Sequence, residues 1–151
     1  MSTTEIEFAD IENVKGRDLG FTEYRTVTQE QVDTFADATD DHQWIHTDPE
    51  RAKSSPFGGP IAHGFLTLSL AIPFWTELLE VKGVATKINY GLDKVRFPAP
   101  VRVGARIRMT ATVADVVILQ GGVQLSVDQV IEIEGQPKPA VVARGLYRFY
   151  A

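Results

Sequence analysis

Between Asp41 and Gly64 the chain reads DHQWIHTDPERAKSSPFGGPIAHG, a stretch that holds all three histidines of the protein. Asp41 and His46 place a carboxylate and an imidazole five positions apart. Facing one cavity, such a pair holds a water between its members, polarises it and delivers its proton elsewhere. The competing reading is a simple turn, with the aspartate bonding its own backbone and the histidine half exposed. Gly64 stands just ahead of the most apolar run in the chain. A helix starting there presents free N–H groups and its positive dipole end to a carbonyl oxygen that gains negative charge in a transition state. Alternatively, the glycine lets the helix approach a neighbour closely.

Other chemistries fare worse. His42 and His46 are four apart, but HQWIH lacks the glutamate of a zinc-protease HExxH motif and only His63 is left to complete a site, so no metal is expected. Ser54, Ser55 and Ser69 lack the G-x-S-x-G framing of an activated serine. With no cysteine in the chain, thiolate catalysis, disulfides and cysteine-based metal sites are excluded.

The elements that must position these residues are legible from capping and periodicity. Thr28 and Gln31 have capping-box spacing, and Val32, Phe35 and Ala36 form an apolar stripe, predicting a helix over 29–38. Asp40 and Asp41 oppose a helix dipole at its C-terminal end, which places Asp41 in a turn. Asp48 followed by Pro49 and Glu50 predicts a short second helix, stopped by Ser54, Ser55 and Pro56. From Gly64 to Glu80 the run is apolar on nearly every face, as in a helix surrounded by protein, with Pro73 predicting a kink. Beyond Gly83 the period becomes two. Strands are expected over 88–97, from Arg106 through Val113, around Val123 to Val127 and over 140–150, with Gly121 and Gly122 as a hairpin connection. A buried helix followed by antiparallel strands without crossover helices indicates an α+β fold.

At 151 residues the chain suits one domain, 1–151. A net charge of −5 without a basic stripe argues against nucleic-acid binding. The apolar run from Phe65 to Trp75 is too short for a membrane span, and MSTTEIEFADIENVKG has no apolar core of a signal peptide, so a cytoplasmic protein is expected.

The segment FADATDDHQWIHTDPERAKSSPFGGPIAHGFLTLSL resembles the hydratase motif of the MaoC-like dehydratases, the (R)-specific enoyl-CoA hydratases of the hot-dog fold. The later KVRFPAPV is similar to a strand of that family. The resemblance implies an antiparallel β-sheet wrapped around a long central helix and reversible hydration of trans-2-enoyl-CoA to (R)-3-hydroxyacyl-CoA. It also implies a homodimer with the acyl group in a tunnel near the subunit interface. It puts Asp41 and His46 on the water and the Gly64 amide on the thioester oxygen, with Gln43, Trp44, Ile61, Ala62 and His63 near the substrate. No metal or redox cofactor is implied. Pantetheine enters as part of the substrate, on CoA or an acyl carrier protein. The chain departs from the family pattern at Asp40, Gln43 and Trp44, where glycine, asparagine and proline are usual. A hot-dog acyl-thioester hydrolase, or a non-catalytic acyl-binding subunit of a heteromeric dehydratase, are the alternatives.

Overall fold

The computed structural model describes residues 3–151. In chain order it comprises β1 (Thr4–Glu7), a 3-10 turn (Phe8–Val14), β2 (Asp18–Phe21), β3 (Arg25–Thr26) and α1 (Gln29–Thr39). Three further short helices follow: α2 (Trp44–Thr47), α3 (Pro49–Ala52) and α4 (Gly64–Ser69). After them come α5 (Ala71–Leu78), β4 (Leu79–Lys82), β5 (Thr86–Arg96), β6 (Arg106–Leu119), β7 (Gly122–Ile133) and β8 (Val141–Tyr150).

The main sheet runs β2-β6-β7-β8-β5, with β3 also pairing β6, and every pairing in it is antiparallel. Alternation along β6, β7 and β8 sends Ile107, Met109, Val113, Leu125, Val127, Ile131 and Phe149 to the buried side. There they join Phe74, Trp75 and Leu78 of α5 in one core. A sheet wrapped on a helix is the hot-dog arrangement, and the α+β expectation stands.

The central helix differs from the single piece expected over 64–80. It breaks at Leu70, and Leu79 has already turned to extended backbone. Pro73 accounts for the break, because its ring collides with the carbonyl four residues earlier, at Ser69, where α4 ends. The residues after Leu78 alternate buried and exposed and pair in parallel with β1, forming a two-stranded sheet that local periodicity did not show.

The caps read from the sequence are present. Thr28 Oγ1 accepts from the Gln31 amide at 3.1 Å, and an Asp48 carboxylate oxygen accepts from the Arg51 amide at 3.1 Å. Helix α1 ends at Asp40, which is in the left-handed region at φ 60 and is the one non-glycine residue there among the described residues. The amides of Asp40 and Asp41 then turn back to the Ala36 carbonyl, which aims Asp41 away from the helix axis. A side chain in this conformation carries a steric cost that glycine avoids. The 3.4 Å contact of Asp40 with His42 is exposed and offsets little of it. Asp40→Gly is therefore expected to raise stability by about 0.5–1 kcal/mol in urea unfolding, and Asp40→Val to lower it by at least as much. Equal midpoints for all three proteins would contradict this account of the turn.

Candidate active site

The turn after α1 and the segment before α4 are stitched together by backbone. The Ile61 amide donates to the Ile45 carbonyl at 3.0 Å, and the Ala62 amide donates to the Val101 carbonyl at 2.7 Å. Arg102 closes the PFGGP connection by donating to the Gly58 carbonyl at 3.0 Å. Two sequence-distant loops thus meet beside the start of α4.

His46 sits at the centre of this junction and is buried. Its Nδ1–H donates to the Ile61 carbonyl oxygen at 2.6 Å, which leaves the lone pair on Nε2. The Gln29 side chain, 17 residues away, holds the His46 carbonyl at 2.8 Å. Burial pushes the imidazole pKa below its ordinary 6.5; the Ile61 carbonyl opposes this, His63 adds to it and the Asp41 carboxylate opposes it. The group is thus a neutral imidazole with an acceptor nitrogen at neutral pH.

His63 is brought to the same place. Its ring stacks on His46 with centroids 3.9 Å apart and 24° between planes, and its Nε2–H donates to the Asp41 carbonyl at 3.0 Å. Phe35 of α1 backs the His63 ring at 4.8 Å. An Asp41 carboxylate oxygen and one ring nitrogen from each of His46 and His63 lie within 4.8 Å of one another. Groups this close can share one bridging water. A cation fits poorly. Imidazole lone pairs lie in the ring plane, and nearly parallel stacked rings do not converge them on one ion. The bonds of His46 Nδ1 and His63 Nε2 to carbonyls leave the lone pairs on His46 Nε2 and on the buried, unpartnered His63 Nδ1, so ring orientation alone tells against a cation.

The buried end of His46 opens on a cavity of about 320 Å³ whose walls include Phe57, Ile61, Ala62, Gly64, Thr67 and Phe97. Gly64 is the first residue of α4, and no side chain caps that terminus. A Cβ at Gly64 would lie 3.3 Å from the Phe97 ring, so the close-approach reading of this glycine also holds. Of the residues expected near substrate, Ile61 and Ala62 line the cavity. Gln43 is exposed, and Trp44 packs under the Arg51 guanidinium at 4.4 Å, so neither is on the cavity wall. His63 touches the site through Asp41 and His46 instead of through the wall. His42 faces Asp37 at 2.9 Å on the surface. Sequence reasoning missed Phe57, Thr67 and Gln29. Phe97 was visible within KVRFPAPV, but without a role.

Comparison with known proteins is decisive at the level of family. Residues 10–134 match the model of the MaoC like domain. The chain belongs to the MaoC-like family. A 3-hydroxyacyl-thioester dehydratase Z of Mycobacterium tuberculosis is 51% identical over 144 residues, covering 95% of each chain. Nodulation protein N of Rhizobium meliloti is 41% identical over 142 residues, covering 92% of this chain and 88% of that one. Among solved structures, the (R)-hydratase of A. caviae involved in PHA biosynthesis superposes with a TM-score of 0.70 at 25% identity, covering 88% of this chain and 94% of that one.

Within this MaoC-like chain the depressed His46 pKa has a definite sign. The folded value lies below the unfolded one, so the unfolded chain takes up the proton first. Stability contributed by His46 is lost as pH falls from about 6.5 toward the folded value. NMR titration is expected to place His46 below 6.5 and His42, raised chiefly by its hydrogen bond to Asp37, above 6.5. The reverse order would contradict the geometry of the site.

Proposed function

We propose that the protein catalyses reversible hydration of a trans-2-enoyl thioester to the (R)-3-hydroxyacyl thioester. One observation carries the reading: an Asp41 carboxylate oxygen and a ring nitrogen of His46 lie within 4.8 Å of each other, close enough to share a water, and the neutral His46, its Nε2 bare, lines the same cavity as Gly64. Membership of the MaoC-like family, and relatives that include a 3-hydroxyacyl-thioester dehydratase and an (R)-hydratase, support it.

In this mechanism the thioester oxygen meets the Gly64 N–H, which stabilises the negative charge that develops there. The water donates its hydrogens toward Asp41 and His46 Nε2, so its oxygen lone pair faces the β-carbon. Its oxygen bonds to that carbon and one proton passes to the pair. The electrons of the double bond move toward the thioester, and the proton returns to the α-carbon. Atoms balance as one water added across one double bond. Asp41 and His46 act as one coupled acid–base unit. His63 holds the Asp41 backbone and keeps the His46 ring in plane. The chemistry needs no metal or redox cofactor. Pantetheine, from CoA or a carrier protein, arrives with the substrate.

The assembly we assign is a homodimer. β5 lies at the sheet edge with almost every residue exposed, and Ile88, Tyr90, Leu92 and Phe97 are exposed along it together with Phe65 of α4. An unpaired strand edge beside apolar side chains invites a second copy. This brings the acyl path near the subunit interface. No helix among the described residues is long and apolar enough to cross a membrane. A cytoplasmic location and a single catalytic domain over 1–151 complete the proposal.

Asp41→Asn and His46→Gln are each expected to lose at least about a hundredfold in turnover of crotonyl-CoA while remaining folded. Near-normal hydration by either folded variant would sink the assignment, and release of free thiol from the thioester would replace it with hydrolysis. Sedimentation across a concentration series is expected to show dimers, and a monomer throughout would remove the interface.

A further inference from the structure

A second cavity, of about 300 Å³, lies between the central helix and the inner face of the sheet, with Leu68, Ile72, Leu92, Gln129 and Tyr147 in its walls. Gln129 is 1% exposed on a strand whose other inward residues are apolar. Its Nε2 donates to the Tyr147 hydroxyl at 2.6 Å, and its Oε1 has no partner. Turning the amide over would leave the NH₂ unpartnered instead, so one polar end remains unanswered in either orientation. A buried polar group left this way costs stability that an apolar residue would not.

Three features hold the Tyr147 hydroxyl where it is. Trp75 stacks on its ring at 4.6 Å and 12°, Gln129 bonds its oxygen, and Gly145 clears the floor beneath it. A Cβ at Gly145 would lie 2.7 Å from the Tyr147 oxygen. Burial also pushes the Tyr147 pKa up, which keeps the phenol protonated. In this amide orientation the Tyr147 oxygen accepts from Gln129 and its own O–H is left to donate; with the amide turned over the two roles exchange, and the pair still offers one donor beside one acceptor. The open pair is thus one acceptor, Gln129 Oε1, beside one donor, Tyr147 O–H.

The cavity lies on the course an acyl chain would take. Gly64 lines the first cavity and Leu68 the second, four residues and about 6 Å further along the helix. Asn89, Gly91 and Leu92 of the β5 edge form its outer rim, where a second copy of the chain would close it. We infer that Gln129 and Tyr147 recognise a hydroxyl group on the acyl tail of the substrate. The hydroxyl donates to Gln129 Oε1 and accepts from the Tyr147 O–H, so both open positions are filled at once. This rests on the acyl-thioester reading of the first cavity, and it specifies the substrate class as medium-chain enoyl thioesters oxygenated in the tail.

The test is calorimetric titration of the wild-type protein with a saturated medium-chain acyl-CoA and with isomers in which one hydroxyl is walked along the tail. One isomer is expected to bind about tenfold or more tightly than the alkyl parent, as one or two good hydrogen bonds to buried groups imply. The double variant Gln129→Leu, Tyr147→Phe is expected to lose that preference while melting at a higher temperature. Gly145→Ala, which displaces the tyrosine ring, is expected to lose the preference too. An alkyl parent bound as tightly as every isomer would overturn the inference and leave the hydratase reading intact. Persistence of the preference in the folded double variant would also overturn it. Failure of every acyl-CoA to bind, together with no hydration of crotonyl-CoA, would overturn both.

Discussion

The hydrogen bond from His46 Nδ1–H to the Ile61 carbonyl is the contact on which the site depends. It is buried, so breaking it would leave two polar groups unpaired away from water. It selects the tautomer, orients the ring and ties the turn after α1 to the strand-like segment ahead of α4. His63 makes the reciprocal tie, reaching back 22 residues to the Asp41 carbonyl. Between them the two histidines lock the loop that carries the acid to the loop that carries the glycine. The proposed water site is the gap left between these locked parts.

This arrangement divides the labour between exposed and buried ends. Asp41 is exposed, while His46 is buried and held neutral by desolvation. A carboxylate alone in solvent is a weak base, and a charged imidazole could not accept a proton. Part of the wall of the cavity beyond them comes from the same segments that make the two ties. The fold thus uses one junction for positioning, for pKa tuning and for shaping the cavity.

Much of this was legible in the sequence because it is local. Thr28, Asp48 and the alternating strands act through residues two to four positions away, and those signals gave the right elements. Asp41, His46 and Gly64 were named from residue type and spacing, and the family resemblance supplied their grouping. What was not legible depends on distant partners. The stacking of His63 on His46, the hold of Gln29 on the turn and the parallel pairing of β1 with β4 are long-range contacts. No periodicity within one segment encodes them. Gln129 is the instructive case. It falls at the inward parity set by Val123, Leu125 and Val127, so a polar residue in an apolar row was visible, but its partner Tyr147 lies on another strand. Trp44 shows the converse case. A large aromatic near His46 suggested a substrate contact, and in this structure the side chain packs under the Arg51 guanidinium and does not line the cavity.

The most direct test of the central claim is the stereochemistry of the product. Crotonyl-CoA incubated with the wild-type protein, followed by chiral analysis of the 3-hydroxybutyryl group, is predicted to give the (R) enantiomer. That outcome requires water to be delivered from one fixed face, as a pair locked by His46 and His63 would do. A racemic product would contradict the account, because a water held between Asp41 and His46 adds to one face only, and an (S) product would contradict the proposed (R) outcome by showing the opposite face of the double bond presented to that water.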